Sequence, residues 1–350
     1  MRCLLQMTAR WSWIVLIAGW VAILPARAAE IAKPGVDLGI YGNVAQVGWV
    51  VKDLDRVVDY WEKLGLKNVH RAGIREFPDV VYRGKKTPLA MKMAFTEING
   101  VQVEWIQPVK GHSDYDEFLK RFGDGIHHLA FRVPNPAGLD EQVAYFKQRG
   151  VDVIQSGSWK GTQGQGRFAY LDTAGRGGGL TIELMFNPDA PPRGSEGVST
   201  HDDPLNKIIH YAIIVHDVKK VAAFYESLGF GGMPIDHAVL LDRNYRGEPG
   251  KFEMYLGWWR WGSVPIEWVQ IITGPSIFDE HFKHHGEGFH HLGFGVKDMD
   301  DATKTFTARG APVTQSGGWD NPGGKGRFAY LDTDPVGGVV AELIWNKPKQ

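Results

Sequence analysis

An α+β protein of two tandem domains, each a pair of βαβββ modules, is the architecture this chain predicts, and three observations carry it. Long segments recur in the same order; a proline-rich stretch separates the copies; and inside each copy a short apolar run leading into an amphipathic helix occurs twice. The string GRFAYLDT stands at Gly166 to Thr173 and again at Gly326 to Thr333. Gln155-Ser156-Gly157-Ser158-Trp159 recurs as Gln315-Ser316-Gly317-Gly318-Trp319, Gly125-Ile126-His127-His128-Leu129 as Gly288-Phe289-His290-His291-Leu292, and Glu104-Trp105-Ile106-Gln107 as Glu267-Trp268-Val269-Gln270. Matches in one order at offsets of 160 to 163 residues identify a tandem duplication.

Between the copies, Asn187 to Asn206 (NPDAPPRGSEGVSTHDDPLN) holds four prolines and no hydrophobic period, so it reads as a linker. The predicted domains are residues 38–190 and 205–348, joined by 191–204. In the first copy Val44 to Val51 reads as a strand, and Asp53-Leu54-Asp55 opens a helix through Val57, Tyr60 and Trp61 that stops at Gly65. The same pattern runs from Leu129 to Gly150, from Tyr211 to Gly229 and from Leu292 to Gly310. Alternating runs such as Val101 to Ile106 and Gly179 to Leu184 supply the later strands.

The N-terminus has another character. Arg2 and Arg10 precede the apolar run Trp11 to Leu24, then Pro25 and the small residues of Ala26-Arg27-Ala28, the layout of a signal peptide over residues 1–28. Its roughly 14 apolar residues fall short of the roughly 20 that cross a bilayer. The expectation is a secreted or periplasmic protein with no stable membrane anchoring after cleavage. Cys3, the only cysteine, would leave with that peptide, which excludes thiolate nucleophiles and cysteine zinc sites from the mature chain. With 39 basic against 40 acidic residues the net charge is -1, so nothing in the charge balance draws nucleic acid or an anionic membrane. A small molecule is the expected partner, and the chain is expected to be a monomer or homodimer.

These motifs resemble the vicinal-oxygen-chelate superfamily, which includes glyoxalase I, methylmalonyl-CoA epimerase and extradiol dioxygenases. The resemblance covers nearly the whole mature chain and is closest to the epimerase and glyoxalase branches. It implies that each pair of modules curls into one cup-shaped mixed sheet, with a metal held by the first and last strand of each module. Carried over residue by residue, those positions are His210 (HYAIIV), Glu267 (IEWVQ), His291 (GFHHLGFGV) and Glu342 (VVAELIW) in the second domain. In the first they are Gln46 (QVGWVV), Glu104 (VEWIQ), His128 (GIHHLAFRV) and Glu183 (LTIELMF), where an amide replaces an imidazole.

Spacing agrees with the transfer. Gln46 to Glu104 spans 58 residues and His210 to Glu267 spans 57, both Glu-to-His intervals are 24, and Val51, Val133, Val215 and Val296 each stand five residues after a first-strand position. Imidazoles with carboxylates suit octahedral Ni, Co, Zn, Mn or Fe(II) with positions open to substrate oxygens. Glutamate inside an apolar strand is costly to bury without a partner, which a metal or an ion pair would supply.

The resemblance gives the last-strand glutamate, Glu342 or Glu183, a second role as proton acceptor, and offers Glu253 (KFEMYL) as a further acid–base group. Strand alternation sends His127 and His290 to the opposite sheet face, as packing or supporting residues. His284 and His285 read as solvated. The glycine-rich segments Ser156 to Gly166 and Ser316 to Gly326 read as lids, with Trp159, Trp319, Arg167 and Arg327 facing a substrate or packing within the loop. Arg83 and Arg246 are candidate carboxylate holders, and Trp258, Trp259 and Trp261 either stack on a ring or pack an interface.

Three functions follow from the resemblance. The first is a metal-dependent isomerase, epimerase or lyase that takes a proton next to a chelated carbonyl. The others are an Fe(II) ring-cleaving dioxygenase on His210, His291 and Glu342, and a non-catalytic small-molecule-binding protein.

Overall fold

The computed structural model describes residues 36–190, 204–260, 262, 264–321 and 324–347. The signal peptide read at 1–28, Cys3, Trp261 and nearly all of the linker lie outside them. Among the described residues no helix is long and apolar enough to cross a membrane.

In the N-terminal half the strands are β1 (Gln46–Val50), β2 (His70–Phe77), β3 (Val81–Tyr82), β4 (Lys85–Lys86), β5 (Leu89–Ile98), β6 (Val101–Lys110), β7 (Gly125–Arg132), β8 (Val153–Lys160), β9 (Gln165–Leu171) and β10 (Thr181–Phe186). The helices are α1 (Leu38–Tyr41), α2 (Leu54–Leu64), α3 (Asp114–Phe122) and α4 (Pro136–Lys147). The C-terminal half repeats the set as β11 (Ile208–Ile214), β12 (Ile235–His237), β13 (Leu241–Tyr245), β14 (Glu248–Pro249), β15 (Glu253–Trp259), β16 (Ile266–Thr273), β17 (Gly288–Gly295), β18 (Val313–Asn321), β19 (Gly324–Leu331) and β20 (Val340–Asn346), with α5 (Val218–Ser227), α6 (Ile277–His285) and α7 (Met299–Ala308).

Each half forms one curled, mixed ten-stranded sheet, in the orders β2-β5-β6-β1-β7-β10-β9-β8-β3-β4 and β12-β15-β16-β11-β17-β20-β19-β18-β13-β14. The central four strands, β6-β1-β7-β10 and β16-β11-β17-β20, are the first and last strands of the paired modules. The small hairpin β3-β4 interrupts the first module and crosses to pair with β8 of the second. The α+β tandem reading holds.

Local sequence explains the elements. The Asp53 side chain accepts from Arg56 N at the start of α2, whose Leu54, Val57, Val58, Trp61 and Leu64 form one buried stripe before Gly65, at φ 126°, ends it. The repeated Gln155 and Gln315 accept from the backbone N–H of Asp114 and Ile277 at the first turns of α3 and α6. The repeated Thr173 and Thr333 hydroxyls donate to Leu180 O and Val339 O and accept from Ile182 N and Ala341 N, which ties β9 to β10 and β19 to β20. Within the repeated strings, Gln155, Gln315, Thr173 and Thr333 are therefore scaffold, and the segments read as lids are the β8-β9 and β18-β19 hairpins.

One apolar cluster covers the helix side of both sheets and joins the halves. Trp49 Nε1 donates to Gly337 O at 2.6 Å, and Trp268 Nε1 to Gly177 O at 3.2 Å, so each half plants an indole on the other's last loop. Gly337 has φ 100° and a Cβ there would press on the Trp49 ring, which accounts for a glycine in that loop. Smaller clusters line the insides of the cups, around Met91, Met93, Phe168 and Tyr170 in one and Phe252, Met254, Phe328 and Tyr330 in the other.

Candidate metal centres

In the C-terminal cup the four side chains picked from the sequence point inward from four neighbouring strands. His210, Glu267, His291 and Glu342 are all buried, at 4%, 6%, 0% and 3% exposure. Glu342 Oε2 lies 2.8 Å from His210 Nε2 and 3.3 Å from His291 Nε2, and the two imidazole nitrogens are 3.1 Å apart. Glu267 Oε2 stands 3.9 and 3.6 Å from the same nitrogens. Atoms that share one ion at about 2.1 Å stand about 3 Å apart when adjacent in its coordination shell. The His210 ring occupies the space above Gly293, opposite it on β17, where a Cβ would overlap the ring.

The N-terminal cup repeats this with Gln46, Glu104, His128 and Glu183, buried at 5%, 8%, 0% and 4%. His128 Nε2 lies 3.0 Å from Glu183 Oε2 and 4.0 Å from Glu104 Oε2. Gln46 Nε2 donates instead to Gln102 Oε1 at 2.6 Å. Behind His128 runs a chain of partners. His127 Nε2 is 2.9 Å from Asp114 Oδ2, and its Nδ1 is 2.9 Å from His128 Nδ1. A carboxylate only accepts, so with neutral rings His127 carries its proton on Nε2 and His128 on Nδ1, leaving a bare lone pair on His128 Nε2 in the cup.

Both donor sets fit a divalent ion. His128 Nε2, Glu183 Oε2 and Glu342 Oε2 are buried with no hydrogen-bond partner. Two acceptors 3.0 Å apart, as in His128 and Glu183, need a proton or a cation between them. Leaving a charge buried and uncompensated would cost several kcal/mol. Without an ion the cups answer differently. Burial pushes Glu183 up to about 8 and, with Glu183 beside it, raises Glu104 well above the carboxylate range. Burial also pushes Glu342 upward, but the His291 and His210 rings outweigh it and hold the carboxyl at about 2. Burial lowers His291, yet Glu342 and Glu267 carry it to about 9.

Sequence reasoning missed Tyr170 and Tyr330, whose repetition in GRFAYLDT was the available signal. They pair in register with Glu183 and Glu342, and their rings lie 4.7 Å from His128 and 5.0 Å from His291. Burial raises both phenols well above their ordinary value, so they remain hydrogen-bond donors. The N-terminal cup opens on a cleft of about 1260 Å³, lined by Met91, Met93, Phe95 and Phe168, with His70 and Arg75 at its edge.

Several expectations are corrected. Glu253 does not reach the cup: it starts β15, five residues before Trp258, the residue paired with Glu267, roughly 17 Å along the strand. It is half-buried, with its carboxylate 3.6 Å from His237 and 3.9 Å from Arg243. His127 and His290 do not point to the opposite face. Each is the extra residue of a β-bulge, since His128 pairs with Gly48 but Ile126 with Trp49, and His291 with Ala212 but Phe289 with Ile213. The bulge turns both rings to the cup side, where His127 packs on Tyr115 and Tyr170 and His290 on Phe278.

Arg167 and Arg327 pair with Asp140 and Asp300 on the helices, and Arg83 and Arg246 with Glu117 and Glu280. Trp159 faces the cleft. Trp259 packs at the junction on Phe230 and Tyr225, whereas the Trp258 ring lies 6.0 Å from His210 with Arg260 stacked on it at 4.0 Å. His285 is half-buried and bonded rather than solvated.

Comparison with protein families matches residues 45–170, and again 209–330, to the Glyoxalase/Bleomycin resistance protein/Dioxygenase superfamily. The chain belongs to that superfamily, the vicinal-oxygen-chelate proteins, with one copy in each sheet. Uncharacterized protein YqjC of Bacillus subtilis (strain 168) is 20% identical over 146 residues, covering 42% of this chain and 96% of YqjC. A mutant of 4-hydroxymandelate synthase from Streptomyces coelicolor shares the fold over 88% of this chain and 94% of its own, with a TM-score of 0.58 at 14% identity. A xylose isomerase-like TIM barrel/4-hydroxyphenylpyruvate dioxygenase fusion protein aligns over 88% of this chain and 49% of its own, with a TM-score of 0.49 at 12% identity.

Proposed function

We propose that the chain is a divalent-metal-dependent enzyme that moves a proton on a carbon next to a carbonyl, an isomerase, epimerase or lyase acting on a small molecule with two adjacent oxygens. The observation that carries this reading is the convergence of His210, Glu267, His291 and Glu342 from four strands, buried and within 4 Å contacts of one another, with a Glu342 oxygen left unpartnered. A bound divalent ion supplies Lewis acidity, stabilising negative charge on the substrate oxygen as the neighbouring proton leaves.

The remaining work belongs to side chains. Glu342 accepts the proton and returns it, and Tyr330 stands beside it in register on the neighbouring strand. Glu183 is the equivalent base in the N-terminal cup, where the Tyr170 hydroxyl is paired with that of Tyr115 at 2.6 Å and the cleft has room for a substrate's carbon skeleton. Export of the chain would put that substrate outside the pool of CoA thioesters.

A second reading, Fe(II)-dependent dioxygenase, is favoured by one feature: ligand atoms of His210, His291 and Glu342 lie within 4.8 Å of one another as a triad of two imidazoles and one carboxylate. Glu267 weighs against it, because a fourth donor occupies a position oxygen would need. The test is to load the metal-free chain with Ni, Co, Zn, Mn or Fe(II) and follow solvent deuterium entering 2-hydroxy and 2-oxo carbonyl compounds alongside oxygen consumption. Exchange without oxygen uptake, lost at least 100-fold in Glu342→Gln, is the expected result. Oxygen uptake on catechols or 2-oxo acids without exchange would replace this reading with the second.

A further inference from the structure

At the junction of the two halves lies another set of metal-type side chains, outside both cups. His281 and His285 stand one turn apart on α6, and Asp334 stands in the loop between β19 and β20; one ligand atom from each lies within 4.8 Å of the others. His281 is 4% exposed, and neither of its ring nitrogens has a hydrogen-bond partner. The Asp334 Oδ1 atom is also buried without one.

Distances fit a shared ion. His285 Nε2 is 3.4 Å from Asp334 Oδ2, and His281 Nδ1 is 3.9 Å from Asp334 Oδ1. Tetrahedral ligands about 2.1 Å from a zinc ion stand about 3.4 Å apart. The tautomer fits as well. His285 Nδ1 is 2.6 Å from the Phe122 carbonyl of the other half; a carbonyl only accepts, so Nδ1 carries the proton and Nε2 is the nitrogen turned to Asp334.

The duplication supplies an internal control. At the matching positions the N-terminal half has Phe118, Phe122 and Ala174, so the same corner folds there with apolar side chains and no donors. The polar triad is an addition specific to one copy. It adjoins a cavity of about 240 Å³ between the halves, lined by His281, His285, Asp124 and Glu287, with space for a water as a further ligand and two carboxylates nearby.

We propose that His281, His285 and Asp334 bind a divalent cation of the zinc type that clips α6 to the loop carrying Asp334. That loop also offers Gly337 O and Val336 O to Trp49 and Trp61 of the N-terminal half, and His285 itself is bonded to Phe122 O. The ion is structural: it fastens the junction and touches no substrate.

The experiment counts metal in the full two-domain chain. Metal-free wild type, Asp334→Ala, Asp334→Asn and the double variant His281→Phe/His285→Phe, which borrows the N-terminal residues, are equilibrated with Zn2+ and analysed by mass spectrometry of bound metal and by thermal melting. Each variant is expected to hold one zinc fewer than wild type and to lose part of the zinc-induced rise in Tm. A Glu183→Gln/Glu342→Gln variant keeps the junction zinc while its cups weaken, which separates this proposal from the functional one. Equal zinc counts in wild type and in Asp334→Asn, with circular dichroism unchanged, would overturn it, because the triad would then be held by protons alone. Should the double variant fail to fold, Asp334→Asn decides by the same count.

Discussion

Glu183 and Glu342 occupy the same place in the duplicated chain, yet their carboxyls are driven in opposite directions. Glu342 faces two imidazoles and is held near 2; Glu183 faces one imidazole held well below its ordinary value by burial, and is pushed up to about 8. Stability follows from this with a definite sign. Between pH 4.5 and about 8 the native metal-free chain keeps a proton on Glu183 that the unfolded chain has released, so stability falls as pH rises. His291, raised from 6.5 to about 9, adds the same trend at higher pH. Glu342 acts the other way, contributing stability above pH 4.5 that is lost as pH falls towards about 2. Below about pH 6.5 this is opposed by the buried His128, His290 and His281 rings, which are lowered and stay neutral where the unfolded chain takes up protons; above about pH 6.5 the raised groups prevail, and the metal-free chain is expected to lose at least a few degrees of Tm by about pH 9. Saturating divalent metal should flatten that decline, since the ion takes the place of the protons. Calorimetry of metal-free wild type and Glu183→Gln across this range checks it. A Tm that rises from about pH 7 to about pH 9, or one that Glu183→Gln leaves with the same slope, would contradict the assignment.

At the scale of strands, the ligand positions depend on what stands opposite them. His210 lies over Gly293, but Gln46, its counterpart, pairs with Ala130. Gln46→His alone would drive an imidazole against the Ala130 methyl. The double change Gln46→His/Ala130→Gly copies the C-terminal arrangement and should raise the N-terminal cup's zinc affinity by at least tenfold, where the single change gives much less; competition with a chelator measures both. Comparable gains from the two variants would mean the glycine has no such role. This pairing also marks what the sequence could disclose. The resemblance to the vicinal-oxygen-chelate superfamily located His210, Glu267, His291 and Glu342, and the repeat offsets and the cost of burying a glutamate in an apolar strand agreed with it. The β-bulges at His127 and His290 were not legible, since alternation assumes one residue per step and an inserted residue shows only in the partner strand's register. Glu253 was misplaced for a related reason: which end of β15 approaches the ligands depends on its pairing with β16. His281, His285 and Asp334 were invisible as a group because loop closure and the domain junction bring them together across about 50 residues.

Across the whole molecule the apolar cluster shared by the two sheets makes each half incomplete alone. Trp49 and Trp61 hydrogen-bond to Gly337 O and Val336 O, while Trp268 and Tyr225 bond to Gly177 O. The Tyr41 ring packs edge-on against Phe230 of the other half at 5.2 Å. An indole buries roughly 150–250 Å². At about 25 cal/mol per Å², Trp49 and Trp61 together gain roughly 10 kcal/mol from full burial. Even a third of that, lost on separation, is large against the roughly 5–15 kcal/mol by which a domain is stable. The full chain is therefore expected to unfold in a single calorimetric transition, and residues 36–190 produced alone to aggregate or self-associate through the face that Trp49 and Trp61 leave bare. Gel filtration and calorimetry of that half decide the matter. A monomeric N-terminal half with the melting temperature of the intact chain would show that the junction contributes little, and the two sheets would then be independent cups on one chain rather than one folding unit.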